Sequence, residues 1–285
     1  MRLTLLMWTM LWLSGAAAAS TQKIGDGLYA YVSSNESSSN SVFLVGDNGI
    51  LVVDSGLNSD EGSNLRQEIR QVSPLPVRWI VNTHYHPDHR GGNYALAPDA
   101  VVVSTDFTRA QNMRSDKEPA AKVWLKQTVD AEGLTVFVGR HAAQIWATGP
   151  AHTLGDLVVY FPDQHAIATG DLFLNDSCPY MDEGDLENWI VALDRMLALP
   201  LQRVVPGHFA VAGWVELQRF RDYLEELRTQ VASMHAQGLS LTQIQQRLNM
   251  RAYQGMRQFP RFEATFSDNA AAYYRQLERR KLRTN

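Results

Sequence analysis

Residues 83–92 read Thr83-His84-Tyr85-His86-Pro87-Asp88-His89-Arg90-Gly91-Gly92, which places three histidines and one carboxylate within six positions. The stretch follows the apolar run Val77–Val81, which indicates a buried strand. In extended backbone His84 and His86 lie on the same side, because side chains repeat every two residues. Pro87 ends strand pairing, and the turn after it can direct Asp88 and His89 to a second point nearby. Imidazole and carboxylate groups are typical zinc ligands, so the spacing favours a two-metal site over one closed structural zinc.

The first 19 residues have the layout of a secretory signal peptide. A basic residue, Arg2, precedes the apolar run Leu3–Leu13, and small residues at Ala16–Ala19 suit a cleavage site. The run is too short to span a bilayer comfortably. We therefore predict cleavage after Ala19 and a periplasmic or secreted protein without a stable membrane anchor; a retained anchor is the alternative.

Charge and cysteine content exclude several classes of function. Removal of Arg2 with the signal peptide would leave 25 basic against 30 acidic side chains. A mildly acidic chain without a basic run is a poor candidate for binding nucleic acid, and a small-molecule substrate is expected instead. Cys178 is the sole cysteine, so no internal disulfide can form. Its neighbours do not activate a thiol, and we interpret Cys178 as structural.

Strand patterns recur in two halves of the chain, on either side of the charged segment Asp106–Asp130. The predicted strands are 25–32, 41–45, 50–53, 77–81 and 101–103 in the first half and 134–138, 144–147, 157–161, 166–169 and 204–205 in the second. With helices between them, these strands predict an α+β fold, a four-layer αβ/βα sandwich with two sheets face to face. The charged segment is long enough to form a helical flap over a site.

Helical periodicity marks five further segments and a possible division of the chain. They are residues 60–72, Asp185–Leu199 with Asp185 as its cap, a stripe that begins at Trp214, and the pair 241–250 and 269–281. We therefore predict a main domain at 20–212, which contains every candidate site residue, and a helical C-terminal extension at 213–285 that packs on it.

Three further candidate ligands, His152, Asp171 and His208, lie at or near the ends of predicted strands. Each alone is ambiguous, since a turn histidine, a capping aspartate and a loop histidine are equally ordinary readings. As a set they complete two shells: His84, His86 and His152 for one ion, and Asp88, His89 and His208 for a second, with Asp171 bridging. The remaining histidines, His141, His165 and His235, are interpreted as surface residues. Asp54 follows its strand either as a turn residue or as a brace for the metal loop, and the second role is slightly favoured.

These motifs resemble those of the metallo-β-lactamase-fold hydrolases. Beside the stretch at 83–92, three later segments match the family's remaining motifs in order: Ala151–Asp156, Thr169-Gly170-Asp171 and Pro206-Gly207-His208. The resemblance covers about residues 24–212 and implies the αββα sandwich, the same seven ligands, and Asp54 as the family's early strand-end aspartate.

Asp171 bears on the substrate class. Most β-lactam-hydrolysing members carry cysteine or serine at the bridging position, so Asp171 looks more like the thioesterase (glyoxalase II-like), lactonase and phosphodiesterase branches. The export signal and the stretch Gly170–Leu174 resemble periplasmic members linked to quinoprotein and sulfur-oxidation systems.

The resemblance implies a hydrolase in which two divalent ions, expected to be Zn²⁺ with Fe or Mn as alternatives, activate water against an ester, thioester, lactone or similar small substrate. Asp88 would orient the water and shuttle its proton. Three alternatives remain: a β-lactam-hydrolysing enzyme, a persulfide dioxygenase with one iron held by His84, His152 and Asp171, and, ranked last, a non-catalytic periplasmic metal-binding protein.

Overall fold

Two β-sheets pack face to face in the part of the chain that the computed structural model describes, residues 19–115, 127–258 and 264–284. Apolar side chains from both sheets share one buried cluster, which includes Leu44 and Val53 from the first sheet and Val138 and Val159 from the second. Helices cover the outer faces. The predicted four-layer α+β sandwich is therefore confirmed.

The first sheet has seven strands in sequence order, antiparallel from β1 to β4 and parallel from β4 to β7. They are β1 (Ser20–Lys23), β2 (Leu28–Val32), β3 (Ser41–Gly46), β4 (Gly49–Val53), β5 (Val77–Val81), β6 (Val101–Ser104) and β7 (Gln127–Thr128). Strand β1 was not predicted, because its polar sequence lacks an apolar alternation.

The second sheet has five strands in the order β12-β11-β10-β9-β8, and only the pair β11–β12 is parallel. They are β8 (Leu134–Val138), β9 (His141–Gly149), β10 (Asp156–Phe161), β11 (Ala166–Ala168) and β12 (Arg203–Val205). Strand β10 is buried throughout. Leu157, Val159 and Phe161 face the other sheet, whereas Val158 and Tyr160 face the helices, because successive side chains alternate between the two faces.

Eight α-helices surround the described parts of the sheets. They are α1 (Ser59–Val72), α2 (Pro87–Arg90), α3 (Asn93–Leu96), α4 (Asp106–Ser115), α5 (Leu186–Leu197), α6 (Trp214–Ala236), α7 (Leu241–Arg247) and α8 (Phe266–Thr284). Helix α5 begins as predicted, with the Asp185 side chain accepting a hydrogen bond from the Asn188 amide. Helix α6 packs against α5 and β12, and α8 packs against α6. The division of the chain at residue 212 stays a prediction.

Two predictions concern segments that lie partly or wholly outside the described residues. The signal peptide is one: residues 1–18 lie outside them, and among the described helices none is long and apolar enough to cross a membrane. The flap is the other. Its start forms α4 and its end forms the edge strand β7, while residues 116–126 lie outside the described ranges.

Candidate metal centre

The site lies at one edge of the sandwich, where loops from both sheets meet. The loop after β5 carries His84, His86, Asp88 and His89, and the loop between β9 and β10 carries His152. Asp171 and His208 follow β11 and β12, the parallel pair of the second sheet. All seven residues predicted as ligands therefore come together in two groups of four that share Asp171.

The first group contains His84, His86, His152 and Asp171. His84 Nε2 lies 3.0 Å from His86 Nδ1, and His152 Nε2 lies 3.2 Å from the same atom. His152 Nε2 is 3.6 Å from Asp171 Oδ2. Four ligand atoms placed tetrahedrally at zinc bond lengths would be about 3.3 Å apart, so these spacings match one tetrahedral ion.

The second group contains Asp88, His89, His208 and the other oxygen of Asp171. His89 Nε2 lies 3.5 Å from Asp88 Oδ2 and 3.2 Å from Asp171 Oδ1. His208 Nε2 lies 3.2 Å and 3.5 Å from the same two oxygens. Asp171 thus directs Oδ2 to one group and Oδ1 to the other, which is the arrangement of a bridging carboxylate.

Two buried atoms provide a test of whether cations fit here. Neither His89 Nε2 nor Asp171 Oδ1 has a hydrogen-bond partner among the described residues, although both are inaccessible to solvent. An unsatisfied buried polar atom costs about 1–3 kcal/mol, and a cation between these atoms would remove that cost. The donor set and the orphaned atoms therefore fit a pair of divalent ions.

Local sequence explains how the two groups form. Pro87 occupies the first turn of α2, so the chain turns into a one-turn helix that presents Asp88 and His89. Gly91 follows because a Cβ there would lie 1.9 Å from the Leu57 carbonyl oxygen. Gly207 is required for the same reason, since its Cβ would lie 1.9 Å from Asp171 Oδ1.

The second ring nitrogen of most of these histidines is bonded to the protein, which fixes the ring orientation. His84 Nδ1 lies 3.1 Å from the Thr83 hydroxyl, and His152 Nδ1 lies 3.1 Å from the Tyr180 carbonyl oxygen. His89 Nδ1 lies 2.7 Å from Asp54 Oδ2.

Asp54 lies where the bracing interpretation requires it. Besides its contact with His89, it accepts hydrogen bonds from the Thr83 amide at 2.9 Å and the Thr83 hydroxyl at 2.7 Å. Its backbone has φ of 57°, a left-handed conformation that aspartate tolerates better than most residues. The strained turn directs the carboxylate under the metal loop.

Sequence reasoning missed Glu183. Its Oε2 accepts a hydrogen bond from the Tyr85 hydroxyl and lies 3.4 Å from His86 Nε2. The contact with His86 is the main reason that the pKa of Glu183 is lowered to about 2. Glu183 stands in the acidic loop that precedes α5, so its sequence context indicates helix capping and carries no signal of a site.

The histidines differ in pKa because their surroundings differ. Burial lowers the pKa of His152 to about 4 and holds that of His84 well below its usual value. Burial also acts on His89, but Asp171, Asp88 and Asp54 outweigh it and hold its pKa well above the usual value. At neutral pH His84 and His152 therefore offer neutral imidazole lone pairs to the first group, whereas the second group concentrates carboxylate charge.

A cavity of about 620 Å³ opens over both groups. Five of the seven candidate ligands line it, together with a largely apolar wall that includes Leu57, Leu174, Tyr180 and Phe209. The volume lies in the range typical of small-molecule sites. Cys178 also lines the cavity but belongs to neither ligand group, and burial raises the pKa of its thiol to about 12.

The prediction that His141 is a surface residue is wrong. His141, interpreted as a surface residue, is buried, with Nδ1 3.2 Å from Gln164 Nε2 and 3.3 Å from Asp163 Oδ2. Its position at the start of β9 lies against the turn at residues 162–164, a contact that a strand pattern does not reveal.

The chain belongs to the metallo-beta-lactamase superfamily, whose family model matches residues 34–208. The superfamily consists mostly of metal-dependent hydrolases and binds divalent metals. The His/Asp cluster described above lies in the part of the chain that carries this match or immediately at its end.

Two curated relatives and two solved structures illustrate the similarity. The chain is 28% identical over 172 residues to 2,4-dinitroanisole O-demethylase subunit alpha from Nocardioides sp. (strain JS1661), a match covering 58% of this chain and only 51% of that protein. It is 26% identical over 216 residues to metallo-beta-lactamase type 2 from Elizabethkingia meningoseptica, covering 72% of this chain and 84% of the relative.

The solved structures share the fold. A metallo-beta-lactamase from Pontibacter korlensis aligns with a TM-score of 0.64 and 22% identity, covering 73% of this chain and 99% of that one. The inverting sec-alkylsulfatase Pisa1 from Pseudomonas sp. aligns with a TM-score of 0.75 and 15% identity over 90% of this chain and 50% of its own.

Proposed function

We propose that the protein is an exported dinuclear metallohydrolase that acts on an ester, thioester, lactone or similar small carbonyl substrate. The observation that carries the proposal is the pair of four-atom ligand groups sharing Asp171. A single structural or storage ion would need only one of them. Export to the periplasm or beyond rests on the layout of residues 1–19.

The seven ligands would hold two divalent cations, which we propose to be Zn²⁺. When bound, the cations would supply Lewis-acid polarisation of a substrate oxygen and a water whose pKa is lowered to about 7.

Asp88 has the position that a proton-handling group needs. It lines the cavity, and its side chain remains 23% exposed although Oδ2 faces His89 and His208. A carboxylate that belongs to the ligand group and also lines the cavity can orient water and accept its proton. His86, His152 and Asp171 form the polar floor, while Leu57, Leu174 and Phe209 would hold the apolar part of the substrate and exclude bulk water.

β-Lactam hydrolysis is the second candidate, and the similarity to the Elizabethkingia enzyme favours it. Asp171 at the bridging position favours a carbonyl ester over a β-lactam as the substrate. One sequence relative is named an O-demethylase and one structure of the same fold is named an alkylsulfatase, so an aryl methyl ether and an alkyl sulfate belong in the same substrate panel.

The test begins with metal analysis of the purified protein, followed by chelation and titration back with zinc. The panel contains a thioester, a lactone, a carboxylic ester, a phosphodiester, a β-lactam, an aryl methyl ether and an alkyl sulfate. We expect two zinc equivalents and hydrolysis of a carbonyl ester that is lost on chelation and restored by zinc. One iron with oxygen consumption on a persulfide would instead identify a dioxygenase. Retained metal without turnover of any substrate would indicate a metal-binding protein.

A further inference from the structure

We infer that Glu183 is a positioning residue that holds His86 with Nδ1 directed into the first ligand group. This inference rests on the metal site of the proposed function. His84 and His152 contribute Nε2 to the group, whereas His86 contributes Nδ1. Its Nε2 therefore points away from the group, and Glu183 Oε2 lies 3.4 Å from it.

His86 needs such a partner more than its neighbours do. Its side chain is 17% exposed, whereas that of His152 is 1% exposed and fully enclosed by protein. A ring with an open side can rotate about its last side-chain bond, since rotation about that bond is broad. A half-turn would replace Nδ1 with a carbon and leave the group one ligand short.

Glu183 is itself held in place by the residue next to His86. The Tyr85 hydroxyl donates to the same Oε2, so two consecutive residues converge on one carboxylate oxygen. Tyr85 is fixed in turn by Arg90 Nε, which donates to its carbonyl oxygen at 2.7 Å, and by edge contact with Phe107 at 5.9 Å between ring centroids. The carboxylate therefore has a defined position before any ion binds.

The contact has an electronic consequence as well as a geometric one. A carboxylate that accepts the imidazole N–H makes the opposite nitrogen a stronger ligand. Asp54 makes such a contact with His89 in the second group. Glu183 gives the first group its own carboxylate-backed histidine, from a loop 97 residues away in sequence.

The inference is tested by metal affinity without any substrate. Zinc binding is measured by competition with a chromophoric chelator for the wild type, Glu183→Gln, Glu183→Ala and Tyr85→Phe. The control is Asp182→Asn, which removes the same charge from the adjacent residue, whose partner is Arg275. We expect Glu183→Gln to weaken one of the two equivalents about 10–100-fold, Tyr85→Phe to weaken it less, and Asp182→Asn to change neither.

A double-mutant cycle assigns the effect to His86. In a His208→Ala background only the first group is complete, and Glu183→Gln should still weaken binding there. In a His86→Ala background the same substitution should have no further effect. Wild-type affinity in Glu183→Gln, or an equal loss in the His86→Ala background, would overturn the inference. If Glu183→Gln does not fold, Tyr85→Phe supplies the same cycle. Absence of hydrolysis would contradict the proposed function and leave these affinities interpretable.

Discussion

The two ligand groups have the same number of donor atoms but differ in charge and in support. The first has three imidazoles and one shared carboxylate, and its backing residue, Glu183, is 33% exposed. The second has two carboxylates, and its backing residue, Asp54, is almost completely buried. We therefore expect metal binding by the second group to depend on buried carboxylate charge. Metal binding by the first group should depend on hydrogen bonds that remain accessible to solvent.

The groups also differ in how the chain closes around them. His208 Nδ1 has no hydrogen-bond partner among the described residues, so its loop must be positioned through the backbone. Asn40 positions this loop. Its backbone N–H donates to the Gly207 carbonyl oxygen at 2.7 Å, and its side-chain Nδ2 donates to the Phe209 carbonyl oxygen at 2.6 Å. The His208 loop of the second group is thus held through its backbone, whereas His89 in the same group and His86 in the first each have a carboxylate partner.

Asp171→Ala should have the largest effect, because Asp171 is the only residue present in both groups. Loss of several kcal/mol of charge stabilisation corresponds to a fall in kcat/KM of roughly a thousandfold or more. The binding of both metal ions should weaken. The exposed Asp99, replaced in the same way, provides the control. A variant that loses only one equivalent would show that the groups do not share this carboxylate.

Asp54→Asn should weaken metal binding by the second group about 10–100-fold and weaken binding by the first group less, because Asp54 reaches His84 only through the Thr83 hydroxyl. Asparagine tolerates the left-handed backbone at this position but removes the charge that faces His89. Metal titration with a competing chelator measures the effect, and Asp60→Asn on the exposed start of α1 is the matched control. If metal binding by both groups weakens equally, Asp54 does not support the second group in the way that Glu183 supports the first.

Asn40→Ala should lower activity about tenfold and the free energy of unfolding by about 1–3 kcal/mol, since it leaves the buried Pro206 carbonyl and the half-buried Phe209 carbonyl without their donor. Denaturant unfolding and kcat/KM measure the two effects. Asn35→Ala changes the same loop without touching residues 206–209. If binding of the first equivalent falls as much as that of the second, Asn40 does not act on the His208 loop alone.

Asp156→Asn should produce the smallest change, a shift in the pH dependence of stability. Burial raises the pKa of Asp156 to about 6, so protonation favours the folded state, and this contribution is lost as pH rises through 6. The stability deficit of the variant should therefore be about 1 kcal/mol larger at pH 5 than at pH 7. Urea unfolding of the metal-free proteins at both values measures it. A deficit that widens with rising pH would show that the Thr153 hydrogen bonds keep Asp156 ionised.

Local patterns predicted the parts of this molecule that local physics controls. Runs of apolar residues predicted β5, β8 and most of β10, and a capping aspartate predicted the start of α5. The dense run from His84 to His89 indicated ligands because few solvent-exposed turns combine those residue types. The sequence by itself therefore determined the sandwich and the residues that form the two candidate ligand groups.

Tertiary structure alone decided which residues surround the two ligand groups. Glu183 reaches His86 across 97 positions, and Asn40 reaches Pro206 across 166. Burial of His141 likewise depends on a turn more than 20 positions away. Such contacts leave no periodicity or spacing in the chain, because each results from how two separate loops pack once the sheets have closed. The choice of nitrogen on each ring, and hence the geometry offered to an ion, is settled only at that stage.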